Sequence, residues 1–425
     1  MNLIIPGSLE ITKGRRWFLV VMLFVAAMIN YIDRATIAVS LPEISSDLGL
    51  TSTSKGLVLS AFFWSYALMQ IPMGWLADRY NLRWLYAGAF GLWSLACGLT
   101  GFANSLVTLI GFRLLLGIGE AIYLPGSLKL ISKLFAPRDR GFPTGFFDSG
   151  TRAGLAVGAP LVGLLTVQYG WRNMFFLVGS FSLLWLPLWV WGFPKRLQES
   201  GEKAASRQDP AMRSRGFSLT VNRNLVGACL GFFCLGYYGY LLVTWLPDYL
   251  VQVRHLTILE AGLYSALPFA VWAISGPLGG WLADWLIRRG SNETRVRKGI
   301  ITVGFSTGLL LIPATKVEDV RLAVALVVAA SLVGFSTANI LVIFQACAPR
   351  NEVARWAGAG NFVGNLGGVA SPLVTGYLLS YTGSFFAAFA LAPVALLAGL
   401  FSYWFIVQEL KPPDGEQAAT GGYPA

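Results

Sequence analysis

Gly74-Trp75-Leu76-Ala77-Asp78 follows the second long apolar block of this sequence, and the same five residues return as Gly280-Trp281-Leu282-Ala283-Asp284 after the eighth block. Five identical residues at equivalent places indicate an internal repeat rather than chance. The fifth and eleventh blocks repeat a weaker pattern, in which a glycine-rich run leads to Pro-Leu-Val at Pro160 and at Pro372. The chain is therefore built from two related halves.

The composition excludes a water-soluble protein. Apolar residues make up 55% of the 425 residues and charged residues only 12%, whereas soluble domains carry about 25% charged residues. The apolar residues form blocks of roughly 20, the length that crosses about 30 Å of hydrocarbon, and a lipid-exposed backbone must then be helical. We predict an all-α membrane protein with twelve transmembrane helices in two six-helix halves. The predicted spans are 17–39, 55–77, 83–103, 106–128, 141–167, 171–193, 224–250, 260–287, 298–315, 321–347, 354–380 and 384–407.

The distribution of positive charge predicts the orientation. Of the 32 Lys and Arg residues, 24 lie at the termini or in and at the edges of the even-numbered gaps between the spans, and five lie in or at the edges of the odd-numbered gaps. Because positive residues stay on the cytoplasmic side, both termini are expected in the cytoplasm. We expect a monomer, surrounded by lipid, in the inner membrane of a bacterium. The predicted domains are a cytoplasmic N-terminus (1–16), an N-terminal six-helix bundle (17–193), a cytoplasmic linker (194–223), a C-terminal six-helix bundle (224–407) and a cytoplasmic tail (408–425).

Several classes of function are excluded. The formal net charge of +11 does not indicate a nucleic-acid partner, because the basic residues lie in short gaps and form no basic face with interleaved aromatic residues. The four cysteines lie inside apolar blocks without metal-ligand spacing, and His255 is the only histidine. Gly304-Phe305-Ser306-Thr307-Gly308 fits a nucleophile pattern, yet it lies in a predicted membrane helix with no strand before it. We therefore expect no enzyme, no metal and no organic cofactor.

Six ionisable residues are predicted inside the membrane, all in the first half. A charged side chain at the centre of a bilayer costs about 3 kcal/mol or more, so each is a candidate functional residue. Three acids and three bases balance one another. They are Asp33 and Arg34 in the first span, Arg113 and Glu120 in the fourth, and Asp148 and Arg152 in the fifth.

Helical spacing predicts which of these side chains share a face. Tyr31 and Arg34 are three residues apart and lie on one face, whereas Asp33 is rotated by about 100° from Arg34. Arg113 and Glu120 are seven residues apart, almost two turns, so they stack on one face. They can share a salt-bridge network, or each can meet a partner on the first span. Asp148 and Arg152 are four apart, so either an ion pair between them or contact with a substrate is possible.

An arginine in a dry cavity favours an organic anion as the substrate. Its planar fork of donors matches a carboxylate in both charge and geometry. If the substrate neutralises Arg34 or Arg113, a neighbouring acid such as Asp33 or Glu120 loses its counter-charge and takes up a proton more readily. This electrostatic coupling predicts proton symport.

The stretch from Gly74 to Arg83 resembles the loop signature between the second and third helices of the major facilitator superfamily, and the likeness covers nearly the whole chain. Asn81 stands where the superfamily usually has glycine, which is tolerable because Asn also accepts left-handed backbone angles. The resemblance implies a cytoplasmic gate in each half. Its residues are Asp78, Arg79 and Arg83 in the first half, and Asp284 and Arg288 in the second.

Further motifs resemble the anion:cation symporter family, which includes proton-coupled carriers of galactonate, glucarate and hexuronates and relatives that carry aromatic carboxylates. The motifs are Asn30-Tyr-Ile-Asp-Arg34, Phe112-Arg-Leu-Leu-Leu-Gly-Ile-Gly-Glu-Ala121, Tyr66-Ala-Leu-Met-Gln-Ile-Pro72, Thr244-Trp-Leu-Pro-Asp-Tyr249 and Asn361-Phe-Val-Gly-Asn-Leu-Gly-Gly368. The resemblance implies that Arg34 engages the substrate carboxylate, that Asp33 and Glu120 are proton-coupling residues, and that Arg113 pairs with Glu120. The other implied substrate contacts are Tyr31, Tyr66, Asn361 and, with less support, Tyr237.

Two departures from that family bear on the substrate. Its sugar-acid carriers have several hydroxyl or indole groups in the tenth helix, whereas here the candidate substrate contact Asn339 begins a mostly apolar run. In the fifth helix a glutamine is replaced by Thr151, followed by Arg152, and both are candidate substrate contacts. A second arginine suits a dicarboxylate or an aromatic acid. We therefore predict proton-coupled uptake of a sugar acid, an aromatic acid or a dicarboxylate by alternating access. A drug:proton antiporter and an anion exchanger or uniporter of the same fold remain alternatives.

Overall fold

The computed structural model describes residues 11–50, 52–194, 197, 219–256 and 258–412, and every regular element in these ranges is helical. Eleven helical segments in them are long and apolar enough to cross a membrane. The first ten residues, most of the predicted linker 194–223 and residues 413–425 of the predicted tail lie outside the described residues. The all-α membrane class predicted from the composition is therefore confirmed.

The described α-helices follow the predicted spans, and several spans consist of two helices separated by a short 3₁₀ turn or a break. In chain order they are α1 (Lys13–Leu48), α2 (Ser52–Arg79), α3 (Leu82–Leu99), α4 (Leu106–Glu120), α5 (Tyr123–Leu134), α6 (Gly141–Leu183), α7 (Trp185–Gly192), α8 (Arg223–Gln252), α9 (Ile258–Arg288), α10 (Glu293–Gly308), α11 (Leu311–Lys316), α12 (Val320–Ala330), α13 (Phe335–Cys347), α14 (Val353–Thr382) and α15 (Phe385–Phe401).

The predicted fifth span and the first part of the sixth form the element α6, which has one interruption. Gly170 has φ 76° and ψ 160°, backbone angles that only glycine adopts readily, so one helix ends and the next begins there. Only the part from Pro160 to Gly192 is apolar enough to count among the eleven segments. The stretch before it contains Asp148 and Arg152, whose charges lower its mean hydropathy.

Asn81 does not use the left-handed backbone angles that we expected to explain its place in the loop signature. Its φ is −68°, and its side-chain oxygen accepts a hydrogen bond of 2.9 Å from the backbone N–H of Arg83. Asn is a favoured N-cap because it satisfies one of the free N–H groups at a helix start. The residue therefore acts as the N-cap of α3.

The described residues up to Leu134 and those that follow Arg152 up to the linker form a first unit. Its helices approach one another closely at glycines: a Cβ at Gly119 would lie 2.8 Å from the backbone nitrogen of Trp93, so α4 and α3 are in backbone contact. Aromatic rings fill the space between α3 and α7, where Trp185 stacks on Phe90 with ring centroids 4.1 Å apart. Small residues that allow close approach are the usual means of helix packing within a membrane.

Residues 135–152 group with the described residues from Leu219 onward in a second unit, although they belong by sequence to the first predicted half. The hydrophobic core of this unit takes side chains from all the helices from α8 to α15. A Cβ at Gly367 would lie 2.7 Å from the backbone nitrogen of Tyr237, so α14 and α8 are also in backbone contact. The start of α6 is held to this unit by the polar contacts described below.

Two arginines that the predicted orientation puts on the outer side have structural contacts. Arg172 pairs with Asp47 and donates a hydrogen bond of 3.1 Å to the carbonyl of Ala103, which fastens the start of the sixth span to the ends of α1 and α3. In the second unit, Arg254 donates to the carbonyls of Ala314 and Val317 at 2.7 and 2.5 Å. Both residues satisfy carbonyl groups that a helix end leaves without partners.

Candidate functional site

Arg34 lies at the centre of the polar residues of the first unit. Its Nε donates a hydrogen bond to Oε2 of Glu120 at 3.1 Å, and Glu120 is fully buried. The guanidinium carbon also lies 4.6, 4.9 and 4.7 Å from the ring centroids of Tyr31, Phe62 and Tyr66. The aromatic faces attract the cation, so rings pack around the guanidinium group while its edge makes the hydrogen bond to the carboxylate.

The local sequence explains how these side chains converge. On α2, Phe62 and Tyr66 are four residues apart, so their rings share a face and stack with centroids 5.2 Å apart. A Cβ at Gly117 of α4 would lie 2.5 Å from the carbonyl oxygen of Phe62 and would also collide with the hydroxyl of Ser65. This glycine lets the backbone of α2 contact α4 next to Glu120. The two rings are thereby brought to the arginine that Glu120 binds.

Glu120 stands at a break in the helix. It is the last residue of α4, and α5 begins at Tyr123. Pro125 follows two residues later and has no N–H to donate to the carbonyl of Ala121, which explains why the fourth span is interrupted. Broken helices at membrane depth are typical of substrate and ion sites in secondary transporters.

Arg113 lies on the same face of α4 as Glu120 but does not form an ion pair with it. It is 4% exposed, and its guanidinium carbon lies 4.9 Å from the ring centroid of Phe62. Within the described residues, the ion pair of Glu120 is with Arg34 rather than Arg113. The sequence left open whether Glu120 pairs with Arg113 or with a residue of the first span, and the structure has the pair with Arg34 on the first span. The pair of Glu120 and Arg113 that the family resemblance implied is not present among the described residues.

Asp33 points away from Arg34, as the rotation of about 100° along α1 predicts. Its side chain is fully buried against α3, where the thiol of Cys97 donates a hydrogen bond to Oδ1 with an S to O distance of 3.5 Å. Its other oxygen, Oδ2, has no hydrogen-bond partner among the described residues. Arg113 and Glu120 lie near enough to act on its charge.

Thr151 and Arg152 are in contact with each other in the second unit. Arg152 donates from Nη1 to Oγ1 of Thr151 at 3.0 Å, and its guanidinium carbon lies 4.9 Å from the ring centroid of Trp272 on α9. The Thr151 hydroxyl in turn donates to the carbonyl of Asp148 at 2.7 Å. Their assignment to substrate binding stays a prediction.

The remaining predicted substrate contacts have different surroundings in the second unit. Tyr237 on α8 is 5% exposed. Asn361 on α14 accepts a hydrogen bond of 3.1 Å from the amide of Asn365, whose own oxygen accepts from the hydroxyl of Tyr240 at 3.0 Å. This amide and phenol network at α8 and α14 was missed in the sequence, although Asn365 lies one turn from Asn361.

Asn339 is fully buried, and its polar atoms take part in packing. Its amide nitrogen donates to the carbonyls of Gly279 and Phe335, both at 3.2 Å, and its oxygen accepts from Arg297 at 3.2 Å. Through these contacts Asn339 of α13 links α13 to α9 and α10. Its assignment to substrate binding stays a prediction.

The predicted gate residues Asp284 and Arg288, both on α9, contact the start of α6 and the turn before it. Asp284 accepts hydrogen bonds of 2.9 Å from the backbone N–H groups of Gly141 and Phe142, at the positive N-terminal end of α6. Arg288 pairs with Asp139 at 2.9 Å. A carboxylate at a helix N-terminus is favourable because the free N–H groups and the helix dipole both attract it.

Arg297 completes this cluster and was missed in the sequence. It is fully buried, bonds to Glu293 at 2.8 Å and Asp284 at 3.4 Å, and donates to the carbonyl of Pro137 at 3.2 Å. It is one of five cations at the start of the predicted ninth span, so the sequence predicts an ordinary loop cation that sets the orientation in the membrane. No spacing rule distinguishes it from its exposed neighbour Arg295.

The predicted gate residues of the first unit are each engaged within that unit. Asp78 pairs with Lys129 of α5 at 2.8 Å, and both side chains are buried. Arg83 donates to the carbonyl of Val190 on α7 at 2.7 Å, and Arg79 lies over the ring of Trp75 at 5.1 Å. Lys129 was missed as the partner of Asp78. Whether these residues form a gate stays a prediction.

The described residues contain no group of three or more His, Cys, Asp or Glu side chains that could hold a metal ion. The groups that meet at the Arg34 site are a guanidinium, a carboxylate and the aromatic rings around them.

Comparisons with known proteins identify the family of this chain. Residues 23–372 match the family model described as Major Facilitator Superfamily. The chain is 32% identical over 429 residues to the "D-galactonate transporter" of Escherichia coli O6:H1, covering 96% of this chain and 99% of that protein. It is 31% identical over 422 residues to the "Probable galactarate/D-glucarate transporter GudP" of Bacillus subtilis, covering 93% and 92% of the two chains.

Solved structures share the fold. The proton:xylose symporter XylE superposes with a TM-score of 0.69 at 13% identity, covering 94% of this chain and 98% of that one. FucP superposes with a TM-score of 0.67 at 13% identity, covering 93% and 100%. With helices that can span a membrane, a family match over most of its length and full-length relatives that are transporters, this chain belongs to the major facilitator superfamily and is a membrane transporter, not an enzyme.

Proposed function

We propose that this transporter takes up a sugar acid together with a proton by alternating access. The observation that carries the proposal is the ion pair between Arg34 and Glu120. The buried Glu120 carboxylate accepts a hydrogen bond from the edge of the Arg34 guanidinium group, and the Arg34 side chain is 13% exposed. An organic carboxylate from outside would compete with Glu120 for that edge. Binding of the anion and release of Glu120 would then be one event.

The surroundings of Arg34 suit recognition of a carboxylate. Rings on α1 and α2 pack around the guanidinium group, so a second anion is best bound in its plane, where two parallel hydrogen bonds form. Arg34 keeps its charge throughout because a guanidinium group does not lose its proton in proteins. The hydroxyl groups of Tyr31 and Tyr66 belong to rings 4.6 and 4.7 Å from the guanidinium carbon. They are the donors and acceptors that we assign to substrate hydroxyl groups.

Proton coupling follows from the burial of Glu120. A carboxylate that is fully buried and has lost its counter-charge is costly in the ionised form, and the cost is removed by protonation. Substrate arrival would therefore favour protonation of Glu120, and substrate release would favour its deprotonation and return to Arg34. Asp33, which is also fully buried, is the second residue that we assign to proton coupling.

The substrate class rests on the relatives. The full-length relatives named above carry galactonate or, as their names state, galactarate and glucarate. These compounds share a carboxylate and a chain of hydroxyl groups, and two of them are dicarboxylates. We propose that Arg152 favours dicarboxylates, so that Arg152→Gln would lower the preference for an aldarate over an aldonate. The inner membrane of a bacterium and a monomeric state are part of the proposal.

The test is internal acidification of reconstituted vesicles that contain a pH-sensitive dye. The panel is an aldonate, an aldarate, a hexuronate, an aromatic carboxylate and a plain dicarboxylate. Wild type is expected to acidify with sugar acids, Arg34→Ala to lose the response, and Arg295→Ala, an exposed arginine on α10, to keep it.

Other results would select the alternatives. Exchange of labelled sugar acid without proton movement would indicate an exchanger or uniporter and would remove Glu120 and Asp33 from proton coupling. Outward movement of cationic or neutral drugs against inward proton flow, with no response to any carboxylate, would indicate a drug:proton antiporter.

A further inference from the structure

The carboxylate of Asp33 has a single side-chain donor in the described structure, and that donor is weak. The thiol of Cys97 on α3 lies 3.5 Å from Oδ1, while Oδ2 has no hydrogen-bond partner among the described residues. Cys97 is 1% exposed and Asp33 fully buried, so water does not compete for this contact. A thiol is a much weaker donor than a hydroxyl or amide group.

The charged groups near Asp33 lie on two helices, α1 and α4. Arg34 is its neighbour on α1, and Arg113 and Glu120 lie nearby on α4. On α3, Cys97 is the titratable group in contact with it. The thiol is therefore the group that bonds directly to the Asp33 carboxylate. The charged groups near it act on its ionisation from a distance, and substrate binding at Arg34 would change their arrangement.

We propose that Cys97 is a positioning residue that sets the pH at which Asp33 exchanges its proton, because its thiol donates the hydrogen bond that the buried carboxylate accepts. The proposal deepens the proposed function and rests on it for its meaning in transport. A hydrogen bond to the ionised form of an acid favours that form. A strong donor at this place would hold Asp33 ionised, whereas a weak donor leaves its protonation sensitive to the nearby arginines.

Two substitutions change the donor in opposite directions. Cys97→Ala removes it, so the ionised carboxylate loses its hydrogen bond and Asp33 should take up its proton at higher pH. Cys97→Ser places a stronger donor on a side chain of similar size, so protonation should need a lower pH. From the usual strength of hydrogen bonds to charged groups we expect a shift of about 0.5 pH unit or more in each direction.

The experiment is an infrared pH titration of the full-length protein without substrate. The carboxylic acid band of Asp33 is assigned by its loss in Asp33→Asn, and its midpoint is measured in wild type and in both Cys97 variants. The expected order of midpoints is Cys97→Ser below wild type and wild type below Cys97→Ala. The matched controls are Cys229→Ala and Cys229→Ser on α8, which change a buried cysteine of the other unit and should leave the midpoint unchanged.

A purely structural role of Cys97 would lower the yield or the thermal stability of the variants without ordering their midpoints. Equal midpoints in the three proteins, or shifts of both variants in the same direction, would overturn the proposal. The titration requires no transport, so its result is separate from that of vesicle acidification. If sugar acids move no protons but the midpoints follow the expected order, the proposed function fails and the role of Cys97 at Asp33 stands.

Discussion

Glu120→Gln should tighten substrate binding, although it removes a charge from the centre of the site. The substitution keeps the size of the side chain but removes the carboxylate that pairs with Arg34 at 3.1 Å. The guanidinium group then loses the contact with this carboxylate, while Tyr31, Phe62 and Tyr66 still pack around it. An incoming anion no longer has to displace Glu120.

The magnitude follows from the bond that the substrate must break in the wild type. A hydrogen bond to a charged group contributes about 1.5–3 kcal/mol, and solvent screening is small here because Glu120 is fully buried and Arg34 is 13% exposed. Since about 1.4 kcal/mol corresponds to a factor of ten in affinity, the dissociation constant should fall by about ten- to a hundred-fold. The gain should be largest at high pH, where Glu120 of the wild type is ionised and competes.

Calorimetric titration of the purified protein with the sugar acid that acidifies vesicles measures this effect between about pH 6 and pH 8. The amount of proton taken up per substrate should fall at the same time, because the amide of the introduced glutamine cannot be protonated in this range. Glu43→Gln is the matched control, since Glu43 is an exposed carboxylate on α1. Weaker binding in Glu120→Gln would refute the reasoning, as it would mean that Glu120 attracts the substrate rather than competing with it.

Three further predictions concern stability, measured as the midpoint of thermal unfolding in detergent. Gly117→Ala should greatly lower the yield of folded protein because its Cβ would collide with the backbone of α2, whereas Gly111→Ala on the same helix, with nothing within 4 Å, should be tolerated. Arg297→Met should destabilise the protein by about 3–5 kcal/mol, because it leaves two carboxylates without their buried cation. The hydrogen bond from Arg172 lowers the pKa of Asp47, so this contact stabilises the fold above the ordinary Asp pKa of about 3.9 and is lost as pH falls below it.

Each of these has a control and a contrary outcome. Equal yields of the two glycine variants would contradict the packing of α4 on α2. An Arg297→Met protein as stable as Arg295→Met would mean that the buried cation is not needed by its carboxylates. For the third prediction, Asp47→Asn should be less stable than wild type at neutral pH and equal to it at low pH, and a difference that persists in acid would have another cause.

The fold and part of the site could be predicted from the sequence because both depend on local regularities. Apolar blocks of about 20 residues specify spanning helices, since a backbone in lipid must bond internally. The i, i+3 spacing on α1 predicted that Tyr31 and Arg34 share a face, and the Tyr31 ring does lie 4.6 Å from the guanidinium carbon. The rotation of about 100° predicted that Asp33 faces elsewhere. These relations hold within one helix and need no knowledge of its neighbours.

The tertiary structure decided every relation between helices. Whether Glu120 meets Arg34 or Arg113 depends on the relative height and rotation of α1 and α4, which the spacing within each helix leaves open. The same holds for Phe62, whose ring lies 4.9 Å from both guanidinium carbons, and for the thiol of Cys97 against Asp33. An apolar ring or a lone cysteine in a membrane helix has no pattern in sequence that distinguishes it from ordinary packing.

The charged residues at the helix ends show the same division. The sequence by itself determined the apolar blocks, the two related halves and the acids and bases that interrupt these blocks, because composition and helical period act along the chain. Only the tertiary structure decided that Arg297 is buried with Asp284 while Arg295 is exposed. Burial of a charge depends on the partners that other helices bring to it, and those partners lie far away in the chain.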